Sequence, residues 1–176
     1  MYPCSGYIDL YFCTYTIYKW NYLLKNIHCK RIICNCFDYM VKNNYCKILF
    51  FVIMDNHLHF IIHVNPPHSI DSINNKFRSF TSKQLLQWLK EFQLEKISDY
   101  TSAMHDRTYQ IWEPSPLCVE IVSENFFIQK TEYIHNNPVN AMLVKDPIDY
   151  KWSSANFYET GDPSEFEFLD CSLFEE

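Results

Sequence analysis

Two histidines one residue apart, His57 and His59, lie inside the apolar run from Ile48 to Val64. Far downstream, Tyr133 and Asn137 stand four apart in Tyr133-Ile134-His135-Asn136-Asn137-Pro138. Side chains two apart on a strand share a face, so His57 and His59 present two imidazoles side by side while Leu58 and Phe60 pack behind them. Two imidazoles are half of a metal site, and a third ligand must come from elsewhere in the chain. The Tyr133 segment offers both a candidate ligand and a candidate nucleophile. If it is helical, Tyr133 and Asn137 fall on one face, a turn apart. The chemistry in prospect is attack by a phenol beside a bound cation.

These residues need a sheet and a helix to bring them together. Tyr7 to Tyr18 is aromatic and β-branched without a breaker and predicts a first strand. Ile33, Phe37, Met40 and Val41 recur at helix spacing and predict a helix from about His28 to Asn43. Lys47 to Met54 and His57 to Val64 follow as strands, joined by Asp55-Asn56, residues that tolerate the positive φ of a tight hairpin. Ser69 is placed to cap a helix whose apolar positions Ile70, Ile73, Phe77, Phe80, Leu85, Trp88, Leu89 and Phe92 form a buried stripe. On or near its polar face lie Lys76, Arg78, Lys83 and Lys90. Ordinary solvation accounts for such a face; Arg78 and Lys83 are the candidate phosphate contacts.

Glu95 to Arg107 predicts a loop and Thr108 to Trp112 a fourth strand. The resulting β-α-β-β-α-β order is that of the split βαβ motif. The expected fold is therefore α+β and ferredoxin-like: an antiparallel sheet with helices on one face and room on the other for an added helix. Ser123 to Asn137 predicts that helix, with Ser123 as cap and Glu124 at its positive end. Pro138 is expected to stop it, because a residue before proline is pushed out of the α region, leaving Asn137 in a frayed last turn.

A chain of 176 residues fits one domain, and 48% hydrophobic residues with only 2 Gly describe a packed core. The net charge of -6 speaks against a nucleic-acid binder at first sight. Its distribution softens this: residues 159 to 176 hold seven acids and no Lys or Arg, leaving 15 bases against 14 acids in residues 1 to 158. The expected organisation is a domain over 1–158 and an acidic tail over 159–176. Truncation after Tyr158 is expected to leave the fold intact and to raise any nucleic-acid affinity at low salt. The 8 cysteines include no Cys-x-x-Cys pair. They are expected as free thiols in a reducing cytoplasm, and the spacing of His28, Cys29, Cys34 and Cys36 fits no common zinc module. The longest apolar run, Ile48 to Met54, is too short to cross a membrane.

Several stretches together resemble a known family. Val52-Ile53-Met54-Asp55-Asn56-His57-Leu58-His59-Phe60-Ile61-Ile62 is followed by Phe80-Thr81-Ser82-Lys83, Ile111-Trp112, Tyr133-Ile134-His135-Asn136-Asn137-Pro138-Val139 and Tyr150-Lys151-Trp152-Ser153-Ser154-Ala155. In that order they resemble the single-tyrosine HUH transposases, more narrowly the REP-associated branch of the insertion-sequence 200-like family, from about Tyr7 to Tyr158. The resemblance implies the HUH endonuclease fold and a DNA nuclease and strand transferase acting on single-stranded or hairpin DNA. It places the two metal-binding histidines on His57 and His59, the third ligand on Asn137 and the catalytic tyrosine on Tyr133. It also implies a 5′-phosphotyrosine intermediate with release of a 3′ hydroxyl; the chain is expected as a monomer or homodimer. Two nitrogens and an amide oxygen suit Mg²⁺ or Mn²⁺. Two positions depart from the family: Glu113 stands where relatives often have Gln, and Met142 where they often have Gly.

Three rival chemistries share parts of this pattern. A histidine-triad hydrolase would need histidine where Ile61 stands. His63, on the same strand face, leaves open a structural histidine cluster. A hairpin-binding protein without catalysis would keep the fold and lose the chemistry, yet all four chemical residues stand intact.

Overall fold

The computed structural model describes residues 8–162 and 166–169. Four strands, β1 (Leu10–Thr16), β2 (Cys46–Ile53), β3 (His57–Val64) and β4 (Leu117–Glu120), form one sheet in the order β2-β3-β1-β4. Every neighbouring pair is antiparallel. With α1 (Ile27–Lys42) between β1 and β2, and α2 (Ile70–Phe92) after β3, this is the expected ferredoxin-like α+β arrangement. A third helix, α3 (Glu124–Asn140), follows β4, and a short α4 (Ala155–Thr160) follows that. Side-chain oxygens of Asn26, Ser69 and Ser123 cap α1, α2 and α3.

Alternation along the strands decides which helix lies where. Phe37 of α1 and Phe77 of α2 reach Phe60 of β3 with ring centroids 5.1 and 5.8 Å away, and Tyr15 of β1 stacks on the same ring. Leu58, Phe60 and Ile62 thus face α1 and α2, which leaves His57, His59 and Ile61 on the opposite face. There α3 packs, with Phe127 against Phe50 at 5.6 Å.

Three expectations change. The fourth strand is Leu117–Glu120, not Thr108–Trp112. The earlier segment bonds back onto its own loop, Ser102 N–H to Thr108 O and Gln110 N–H to Tyr100 O, and meets the sheet at its last residue, through an Ile17–Trp112 bridge and the Trp112 ring against Tyr15 of β1 at 5.8 Å. Its apolar content serves as a core anchor: Trp112 is 2% exposed, and its Nε1–H donates to Thr81 Oγ1 (2.9 Å). Pro114 and Pro116 then lack the N–H groups a continuing ladder needs, so pairing with β1 resumes only at Leu117.

Pro138 does not stop the catalytic-helix candidate; it lies inside α3, which runs on to Asn140. The packing of the buried Ile134, Asn137 and Pro138 against the body of the protein offsets the loss of that N–H bond. The helix ends instead in a Schellman motif, Met142 N–H to Val139 O and Leu143 N–H to Pro138 O, both 2.9 Å. That motif puts Met142 at φ 56° with its side chain 91% exposed. Met142→Gly is therefore expected to stabilise the protein by about 1 kcal/mol in urea unfolding, since the left-handed conformation suits glycine and no packing is lost.

Residues 159–162 of the acidic tail are exposed, but the tail then returns to the core. Phe168 and Leu169 are 4% and 8% exposed; Phe168 contacts Phe37 and Phe51, and Leu169 bridges Ile48. Residues 163–165 and 170–176 lie outside the described residues. Truncation after Tyr158 is thus expected to destabilise the fold by about 3 kcal/mol or more, because it strips apolar packing from β2. Truncation after Leu169 keeps that packing and removes Asp170, Glu175 and Glu176, so it is the variant whose DNA affinity at low and moderate salt reads the tail's charge. Among the described residues no helix is long and apolar enough to cross a membrane.

Candidate active site

The site forms where β1, β3 and α3 meet. Strand register pairs Thr16 with His57 and Thr14 with His59, on the face that α3 covers. The imidazole centroids are 4.9 Å apart. His57 Nδ1–H donates to Asn56 Oδ1 (2.7 Å), and His59 Nδ1 shares a hydrogen bond with Thr14 Oγ1 (2.7 Å). Both rings are thereby oriented through Nδ1, which leaves Nε2 of each for a ligand. From α3, the Tyr133 hydroxyl stands 3.3 Å from His59 Nε2, and the Asn137 side chain hydrogen-bonds that of His57. All four residues singled out in the sequence come together.

Burial sets the protonation. His59 is 4% exposed, and desolvation, helped by His57 and Lys130, pushes its pKa down to about 3. His57 is lowered by burial as well, partly offset by its hydrogen bond with Asn137. Both imidazoles are neutral at neutral pH, the form in which they ligate metals. Among the described residues no three His, Cys, Asp or Glu side chains converge, so the candidate for a third donor beside the two imidazoles is the amide of the buried Asn137. Two imidazole nitrogens with fixed Nδ1 partners and one amide oxygen fit a divalent cation that keeps open positions for water or substrate.

Sequence reasoning missed several groups that complete the site. Lys130, one turn before Tyr133, holds its ammonium 4.7 Å from the Phe12 centroid, 5.1 Å from Phe126 and 5.6 Å from Tyr133. Among the described residues it has no carboxylate partner, so a positive charge stands free beside the phenol. Its spacing of three from Tyr133 was the available signal. Thr14 and Asn56 left no such signal, because their roles depend on strand register and on a turn. The turn itself is clamped from α1. Buried Lys30 donates to Ile53 O (3.1 Å), Asp55 Oδ1 (3.0 Å) and Tyr150 Oη (2.7 Å), and burial lowers its pKa against the pull of Asp55.

Arg78 and Lys83 lie elsewhere. They line a cleft of about 180 Å³ between α2 and the segment 107–112, with Ser82, Arg107 and Tyr109. Arg78 Nη2–H donates to Glu113 O (3.3 Å), so one of the expected phosphate contacts also holds the loop at the position that departs from the family. His135 points away from the histidine pair, with Nε2 2.9 Å from Ser154 Oγ, and burial lowers its pKa to about 4. Ser154 Oγ in turn accepts from Phe51 N–H (3.1 Å), so the Trp152-Ser153-Ser154 corner joins α3 to β2.

The family model described as "Transposase IS200 like" matches residues 8–137. No curated protein matches the chain. Among solved structures, a REP-associated tyrosine transposase bound to a REP hairpin aligns with TM-score 0.65 over 92% of this chain and 91% of that one, at 15% identity. A candidate transposase from Deinococcus radiodurans R1 aligns with TM-score 0.48 over 72% of this chain and 88% of that one, also at 15% identity. The first likeness is one of fold.

Proposed function

This chain belongs to the IS200-like transposase family, and from that premise we propose that it cleaves and rejoins single-stranded or hairpin DNA through a 5′-phosphotyrosine on Tyr133. His57, His59 and Asn137 would hold a divalent ion, Mg²⁺ or Mn²⁺. The observation that carries the reading is the Tyr133 hydroxyl, 3.3 Å from His59 Nε2 on a residue 43% exposed to solvent. A nucleophile here is at once next to the candidate ligands and open to a substrate.

Tyr133, open to solvent, gives its phenolic proton to water and attacks phosphorus in line; the bond to the 3′ oxygen breaks, and that oxygen takes a proton from water and leaves as a hydroxyl. The phosphotyrosine conserves the energy of the phosphodiester, so a 3′ hydroxyl can attack it, release the phenol and rejoin strands. A divalent ion, when bound, offsets charge on the non-bridging oxygens. Lys130 adds a positive charge 5.6 Å from the phenol ring. An imidazole whose pKa is pushed down to about 3 is too weak a base to keep a phenol's proton. This favours His59 as a ligand that orients Tyr133 over His59 as its general base.

Arg78 and Lys83 are proposed as contacts to DNA phosphates at their own cleft. A DNA hairpin with an unpaired flank is expected to be cut and to leave a protein–DNA adduct on a denaturing gel, whereas a blunt perfect duplex is not. Equal cleavage of both would overturn the reading. Tight hairpin binding with no adduct in Mg²⁺ or Mn²⁺ would leave a hairpin-binding protein without catalysis.

A further inference from the structure

Between β1 and α1 the chain reads Tyr18-Lys19-Trp20-Asn21-Tyr22-Leu23-Leu24-Lys25, aromatic and basic residues interleaved with no acid. Tyr18, Leu23 and Leu24 are buried and pin the loop to the body, while Trp20 and Tyr22 are 58% and 68% exposed. A tryptophan is among the most costly side chains to leave in water, so its exposure calls for a partner.

The backbone supports that view. Lys19 and Trp20 hold φ of 54° and 58°, a left-handed conformation that L side chains rarely adopt even singly. Lys19 N–H donating to Glu113 Oε1 (2.7 Å) and Trp20 N–H donating to Ile17 O (2.8 Å) hold it there. Strain of this kind persists where the surrounding structure over-determines it, and it gathers at ligand sites. Here it sets the Trp20 ring in a T-shaped contact with His57, with centroids 5.9 Å apart. His57 adjoins His59 and His59 adjoins Tyr133, each at 4.9 Å. A base resting on Trp20 therefore lies within a few nucleotides of a phosphate at Tyr133.

We propose that Trp20 and Tyr22 are a stacking platform for unpaired bases of the strand being cut, with Lys19 and Lys25 beside its phosphates. The proposal rests on the transposase reading above and adds the element that selects an unpaired flank. Aromatic faces take any base but only when that base is free of its duplex. Local charge agrees, because the loop is basic within a chain of net charge -6.

The test measures hairpin binding in EDTA, so that no effect passes through metal on His57. The probes are a hairpin with an unpaired flank carrying 2-aminopurine and the same hairpin blunt. Trp20→Ala with Tyr22→Ala is expected to weaken binding of the flanked hairpin about tenfold or more and to leave the blunt one within about twofold. Wild type quenches the 2-aminopurine and the double variant does not, while Trp20→Phe keeps most of the affinity. Equal loss on both hairpins, or an unquenched probe with wild type, overturns the platform while leaving Tyr133 chemistry standing. If wild type binds neither hairpin, the platform and the transposase reading fall together.

Discussion

Tyr133→Phe is expected to abolish the covalent protein–DNA adduct while leaving metal and hairpin binding within about twofold of wild type. The substitution removes one oxygen and keeps the ring that meets His59 at 4.9 Å and Phe12 at 6.1 Å. The side chain is 43% exposed, so stability should stay within about 0.5 kcal/mol, and a lost adduct cannot be ascribed to unfolding. The readout is a labelled flanked hairpin on a denaturing gel, beside a melting curve of each protein. A persistent adduct would mean that another of the 13 tyrosines is the nucleophile and that the α3 assignment is wrong.

His57→Ala combined with His59→Ala is expected to eliminate adduct formation at every metal concentration. Both imidazoles leave with their lone pairs, and Asn137 alone offers a single neutral oxygen, too little to hold a divalent ion in water. Asn137→Ala should behave differently. It keeps both rings and their Nδ1 partners Asn56 and Thr14, so Mn²⁺ affinity should fall by about tenfold or more and slow adduct formation should return at high Mn²⁺. Calorimetric Mn²⁺ titration separates the two, independently of DNA. Wild-type adduct rates for the double variant in EDTA would remove metal from the mechanism.

Local pattern carried much of this protein. Period-two alternation through His57-Leu58-His59-Phe60 and the spacing of four between Tyr133 and Asn137 placed the four site residues on their elements and faces, because side-chain direction along a strand or helix follows from backbone geometry alone. The caps at Ser69 and Ser123 were legible for the same reason: a hydroxyl just before a helix bonds to an amide three residues on.

What local pattern could not decide were questions of competition and pairing. Thr108–Trp112 looks more like a strand than Leu117–Glu120, yet Trp112 is worth more in the core beside Thr81, and β1 pairs with the poorer strand. Proline normally ends a helix, but the burial of Ile134, Asn137 and Pro138 carries α3 past Pro138 and fixes Asn137 in a buried turn. The partners of the imidazoles, the free charge of Lys130 and the exposure of Trp20 also belong to tertiary structure. Thr14, Asn56, Lys130 and Trp20 are unremarkable as residue types; only register, crossing helices and a left-handed turn set them against the histidines. Sequence by itself thus determined which residues are candidates for chemistry and on which faces they sit. Tertiary structure decided what surrounds them, because those contacts join segments up to about a hundred residues apart, whose pairing no short window of sequence encodes.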